Sequence, residues 1–280
     1  MNDGDRAGIL RAMRRNGLTR GKRPPQWRGL VLPALLLLVW QTLCASEVFT
    51  PDVMPSPVAV ATELLRLWTK GRLFGDIVVT AERVALGFLL GTAVATVVGA
   101  AVGYSRRAGE YLDPTLQALK AVPSLAWVPL FILWFGIFEV SKVALIAVGV
   151  FFPVYLNLLA GIRSTDRKLV EVGRVNALGS FDLVKRILVP AALPNYVTGL
   201  RAGLALGWMF VIAAELMGAS KGLGFLMLDG QMTGRPATIV AALMLFAIAG
   251  KVSDSLLVAA SRRALAWQDD FASTQAKTAP

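Results

Sequence analysis

Six runs of apolar residues dominate the chain, at 29–46, 84–104, 122–137, 143–161, 197–217 and 237–258. A helix rises 1.5 Å per residue and the hydrocarbon core of a bilayer is about 30 Å thick, so about 20 mostly apolar residues make one crossing. Two of the runs are marginal by that measure. The third is short, but residues 111–120 can extend it as a helix kinked near Pro123 and Pro129. Between the first two runs, 51–57 is a proline-punctuated loop and 58–68 reads as an amphipathic surface helix. The expectation is an all-α integral membrane protein with about six transmembrane helices.

Composition agrees. Of 280 residues, 55% are hydrophobic and 17% charged, against roughly 25% charged in a soluble domain. Histidine is absent and Cys44 is the only cysteine. That excludes histidine acid-base chemistry, Cys/His zinc sites and intrachain disulfides. The first apolar run could pass for a secretory signal core, but its basic leader is unusually long and the chain that follows is itself membrane-bound, so it is expected to stay as an anchor.

The net charge of +11 raises nucleic acid as a partner, and the placement of the charge argues against it. With the N-terminus inside, 21 Lys and Arg fall in inside segments: the leader 1–28, the stretch after the second run, the stretch after the fourth, and the C-terminal end. Seven lie outside, and Arg201 sits near the inner end of the fifth run. Cytoplasmic loops are enriched in Lys and Arg, so both termini are expected in the cytoplasm and no nucleic acid is required.

The longest inside loop, 163–194, exceeds an ordinary helix connection, and such loops tend to be functional. Within it, 166–178 reads as a helix capped by Thr165. Gly179 and Ser180 make a break, and 181–188 reads as a second short helix ended by Pro190 and Pro194. A solvated amphipathic loop lying on the headgroups fits the same periodicity.

Glu171, Val172 and Gly173, then Ile187 and Pro190, resemble the EAA loop of the permease subunits of ABC importers. That pattern reads Glu-Ala-Ala, a glycine four positions after the second alanine, then Ile-x-Leu-Pro. Glu171, Ile187 and Pro190 match in identity and spacing; Val172, Gly173, Ala177 and Val189 depart from it, and Gly179 stands two residues beyond the glycine position. The likeness continues at 133–137, 150–157, 161–163, Leu193 and Pro194, 199–201, Ala214 and Glu215, and 222–224. It covers roughly 55–263 and is similar to permeases for aliphatic sulfonates, taurine, nitrate and bicarbonate; 141–157 and 250–254 look most like the aliphatic-sulfonate permeases.

The resemblance implies the type I ABC importer permease fold. Its parts would be a basic tail over 1–28, a permease domain over 29–263 carrying the coupling loop, and a second tail over 264–280. It implies a second permease copy, two copies of an ABC ATPase carrying ATP and Mg, and a periplasmic or lipid-anchored substrate-binding protein. The chain itself would bind no cofactor and would not be an enzyme. No Gly-x-x-x-x-Gly-Lys-Ser/Thr string occurs in it, so the phosphate loop must come from another polypeptide; the glycine-rich 218–224 lacks the spacing and reads as an external turn. In the coupling loop, Glu171 would make a charge contact or hold a helix-N-terminal position within the bracket, Gly173 a close helix approach, Gly179 and Ser180 the turn offered to the ATPase, and Pro190 the end of the second helix, with Ala177 and Ile187 completing the pattern.

Polar groups inside spans are costly in hydrocarbon and usually face a cavity or a partner. Asn157, Trp208, Glu215 and Ser253 are therefore candidates for lining a substrate route. The alternatives are a helix-helix hydrogen bond for Asn157 and pairing with Arg83 or Lys221 for Glu215. Lys251 and Asp254, at i and i+3, most simply neutralise each other, and Arg201 snorkels or pairs. Gly87, Gly91, Ala95 and Gly99 form a small-residue face that suits helix packing within the chain or between two copies. Rival classes fare worse. An intramembrane enzyme lacks clustered acid-base groups, and an ion-coupled secondary transporter would show paired ionisable groups at mid-bilayer or broken helices in a repeat.

Overall fold

A computed structural model describes residues 28–46, Thr50 and residues 52–265, and those residues form helices joined by turns and short irregular links. The expectations for the leader 1–27 and the tail 266–280 lie outside them. In chain order the helices are α1 (Arg28–Ala45), α2 (Pro57–Thr69), α3 (Arg72–Tyr104), α4 (Arg106–Ala121), α5 (Val128–Phe135), α6 (Glu139–Arg163), α7 (Arg167–Val175), α8 (Ser180–Leu183), α9 (Val189–Leu216), α10 (Leu223–Met232) and α11 (Pro236–Ala264).

Four stretches are long and apolar enough to cross a bilayer: α3, α6, Val184–Leu216 and Pro236–Arg262. α4 and α5 qualify together but meet at 91°, and α1 contributes a shorter apolar helix. Among the described residues this makes four crossings, or five with the bent pair, roughly consistent with the six expected. The third is not a kinked rod, however. Pro123 precedes a 3₁₀ turn at Ser124–Trp127, and Pro129 sits in the first turn of α5, where proline's missing N–H is no loss. Of its two arms, α5 is only 8 residues long, about 12 Å at 1.5 Å per residue.

The core is built by α6 packed between α3 and α9. The small-residue face of α3 meets α6 within the chain. A Cβ on Gly87 would strike Ile146, one on Gly91 the Ala147 carbonyl, and one on Gly99 would come 3.0 Å from Leu158. Ala95 is fully buried in the same row. Gly203 on α9 sits equally close to Val150 and Val154, so α6 is held by backbone-close contacts on two sides. Such contacts, rather than a hydrophobic drive, hold helices together in lipid.

The amphipathic α2 is not merely a surface helix. Val60 and Leu67 are buried, and Leu67 joins Leu73, Leu226 and Ala242 in a second small core. Ser56 caps α2 by accepting the Ala59 N–H at 3.2 Å. The ends of the bundle differ in chemistry: one carries buried charge around Arg83, the other carries the loop between α6 and α9.

Candidate functional site

The loop bracket forms as two helices, with different boundaries from those expected. Asp166, not Thr165, caps α7: its Oδ1 accepts the Lys168 N–H at 2.9 Å, while the Thr165 hydroxyl donates back to the Gly161 carbonyl at 3.3 Å. A carboxylate serves better there because it also meets the positive end of the helix dipole.

The first helix ends in a Schellman turn. The Leu178 N–H reaches the Gly173 carbonyl at 3.1 Å, and the residue between helix end and return, Ala177, has φ 54°. That left-handed conformation is usually given to glycine at this position, and Ala177 is the only non-glycine with positive φ among the described residues. The position where the EAA pattern has glycine is thus the helix's left-handed terminus, and alanine occupies it here. Gly179 does not take over that role; a Cβ on it would meet nothing within 4 Å.

Gly173 is where α7 touches the returning chain. A Cβ there would lie 2.7 Å from Ile187 Cδ1, with Leu178 and Leu183 just behind. The rest of α7 is open. Leu169, Val172 and Val175 are 51%, 58% and 86% exposed, and their spacing of three places them along one face. Glu171 is exposed beside them. One side of α7 is thereby sealed to the returning chain, and an exposed apolar face with a carboxylate is left.

The second helix does not end at Pro190. Ser180 begins α8, which runs through a π-helical turn at Val184–Leu188 directly into α9, where Pro190 is in the first turn and Pro194 is interior. In the π-turn the Val189 N–H reaches back five residues to the Val184 carbonyl, and Pro190 follows in the first turn of α9. Ile187 therefore sits in the π-turn, on a helix that continues as a membrane crossing.

The four in-span polar residues are dispersed rather than gathered. Asn157 donates from Nδ2 to the Pro153 carbonyl at 2.8 Å on its own helix, and its Cβ packs against Gly199 of α9. Trp208 donates its indole N–H to Ser253 Oγ at 2.8 Å, joining α9 to α11, and Ser253 donates to the Gly250 carbonyl at 2.9 Å. The i, i+3 pairing of Lys251 with Asp254 does not form: Asp254 takes both Nε and Nη2 of Arg201, at 2.8 and 3.1 Å, across the same helix pair. A planar guanidinium offers two parallel bonds where an ammonium offers one.

Glu215 is fully buried and fully engaged. Oε1 accepts from Thr80 Oγ1 and Arg83 Nη1, both at 2.7 Å, and Oε2 accepts the Gly224 N–H at 2.6 Å. Arg83 continues to Glu139 through Nε and Nη2 at 2.6 and 2.7 Å and to the Lys221 carbonyl at 2.8 Å. Thr80 Oγ1 accepts the Leu223 N–H, and Asp76 Oδ1 the Gly222 N–H, both at 2.8 Å. A Cβ on Gly222, at φ 118°, would collide with the Glu215 carboxylate. The cluster fastens the 218–224 turn onto α3, α6 and α9. Arg83 is the partner that the sequence offered for Glu215; Asp76 and Thr80 were not visible there because α3 starts at Arg72, a dozen residues before the apolar run, and the spacing of four and three from Asp76 through Thr80 to Arg83, one helical face, is the signal that could have found them.

The chain matches the family model of the binding-protein-dependent transport system inner membrane component over residues 87–266. It is 41% identical over 252 residues to a putative aliphatic sulfonates transport permease protein of Bacillus subtilis, covering 90% of this chain and 91% of the relative. It is 31% identical over 242 residues to a taurine transport system permease protein of Escherichia coli, covering 85% and 88%. A nitrate import permease protein of Synechocystis is 31% identical over 260 residues, covering 90% and 94%. With its bundle of membrane-crossing helices and its long bracketed loop, the chain belongs to the inner-membrane permeases of binding-protein-dependent ABC transporters, and is the multi-pass membrane component, not the ATPase.

Proposed function

We propose that two copies of this chain form the translocation route of an importer for aliphatic sulfonates, with both termini and the 163–194 loop on the cytoplasmic side. An external binding protein delivers the substrate and two ATPase subunits drive the cycle. The observation that supports the substrate is the 41% identity, over 90% of the chain, to a relative named for aliphatic sulfonates. Taurine, nitrate, bicarbonate and pyrimidine-like precursors are the alternatives within the family.

Coupling is assigned to α7. Its exposed Leu169, Val172 and Val175 form the apolar core of a seat on the ATPase. Glu171 supplies the charge that orients it, and Gly173 against Ile187 passes movement into α9. Ala177, Gly179 and Ser180 shape the turn between the two helices, and Pro190 starts the α-helical part of α9. A rigid bracket suits alternation between two states, because closure of the ATPase must arrive as a body movement. Asn157, Trp208 and Ser253 are kept as candidates for the route. Glu215 is read as the anchor of the external turn.

The test of the substrate is growth of a host lacking its own sulfonate permease on an alkanesulfonate as sole sulfur source, with this chain supplied alongside its ATPase and binding protein. Growth on ethanesulfonate but not on taurine supports the assignment; growth on taurine alone reassigns the substrate. The test of coupling is Glu171→Lys, expected to abolish uptake while the protein still inserts in the membrane.

A further inference from the structure

A cavity of about 230 Å³ lies between α3, α6 and the π-turn that opens α9, lined among others by Thr96, Ala100, Leu158, Ile162, Leu188 and Tyr196. Two of its three side-chain hydroxyls are turned on each other or on the backbone, and the third, that of Tyr104, belongs to a residue exposed at the rim. Thr96 Oγ1 lies 2.7 Å from the Tyr196 hydroxyl and also donates to the Thr92 carbonyl at 2.7 Å. With both of those protons committed, the wall formed by Thr96 and Tyr196 offers an anion no donor, and the Tyr104 hydroxyl belongs to the rim rather than the interior. An apolar cavity of this size stays dry and takes an apolar guest.

The surroundings say what kind of guest. Two of the lining residues, Tyr104 and Val189, are 56% and 53% exposed, so the cavity opens on the outer surface of the helix bundle. Lys185 and Arg186, within the π-turn whose Val184 and Leu188 line the wall, are exposed. Arg186 is paired with Asp182 at 3.3 Å, while Lys185 has no ion pair among the described residues. An apolar slot beside an open cation matches the two ends of one molecule, an acyl chain and an anionic headgroup.

We propose that this cavity holds one acyl chain of an anionic phospholipid, with its headgroup at Lys185. The chain wedges between α6 and the π-turn and so supports the segment through which α7 joins α9. This reading uses the cavity and its charge alone and does not depend on which substrate is transported.

The test is native mass spectrometry of the purified transporter, released from detergent in the presence of mixed anionic and zwitterionic phospholipids. One anionic phospholipid retained per copy is expected in the wild type. Ala100→Trp, at an exposed position on the rim, should eliminate retention, and Lys185→Gln should weaken it by about fivefold, the loss of one basic residue near an anionic headgroup. No retained lipid in the wild type, or retention unchanged by Ala100→Trp, would overturn the proposal. Displacement of the lipid by an alkanesulfonate would overturn it in favour of a substrate site. A disulfide between copies in Ala100→Cys would show that a second copy covers the cavity, and would overturn it too.

Discussion

Arg83 and Glu215, 132 positions apart, meet at 2.7 Å in the interior, where the glutamate side chain has no exposed surface. A buried pair is weak evidence of net stabilisation, but breaking one by removing a single partner typically costs about 3–5 kcal/mol. Arg83→Ala should therefore lower the melting temperature of the detergent-solubilised protein steeply. Arg83→Lys should fall between, because an ammonium keeps the charge but cannot span Glu215 and Glu139 together. A melting temperature unchanged in Arg83→Ala would remove the cluster's role as a clamp.

Gly173→Val should uncouple the loop by forcing Ile187 away from α7, since even a bare Cβ would come within 2.7 Å of it. ATP hydrolysis by the assembled transporter is then expected to lose its stimulation by loaded binding protein. Adding Ile187→Ala should restore part of it by making room. Failure of the second substitution to rescue would mean that the contact is not where movement passes.

Ala177 gives a test of opposite sign. A non-glycine residue held left-handed costs about 1–2 kcal/mol, so Ala177→Gly should keep transport and slow hydrogen exchange across 167–178. Ala177→Val, with a branched Cβ at φ 54°, should loosen the turn and reduce transport. Equal behaviour of the two variants would contradict the Schellman geometry.

Glu63 on α2 links that helix to α11. It accepts from Arg66 Nε at 2.6 Å and from Thr238 Oγ1 at 2.6 Å, and the Arg66 bond, aided by Thr238 and opposed by burial, holds its carboxyl below the ordinary range. A depressed carboxylate contributes stability above its unfolded pKa, about 4.3, and loses it as pH falls through the folded value. Wild-type protein should melt higher than Glu63→Gln at pH 7, and the gap should close in acid.

Much of this architecture was legible because its causes are local. Apolar runs are contiguous, so α3, α6, α9 and α11 were visible, as was the small-residue row on α3, although whether that row met α6 or a second copy needed the structure. What depends on distant partners was not visible. Asp254 has Lys251 three residues away yet pairs with Arg201, because the guanidinium of the neighbouring helix offers two parallel bonds. Pro190 read as a stop, whereas the π-turn lets the chain run through it. The two prolines of the third crossing were evident, but not the right angle between its arms. Glu171 and Ile187 could be picked out by pattern, and Gly173 by its place where the pattern has alanine; that Gly173 and Ile187 touch is a matter of the turn between them.

The most direct measurement is uptake of a labelled alkanesulfonate into proteoliposomes containing this chain, with and without its ATPase. Uptake is expected only when ATPase, ATP and loaded binding protein are all present, and is expected to vanish in Glu171→Lys. Uptake by the chain alone, driven by an ion gradient, would contradict a permease that depends on a separate motor.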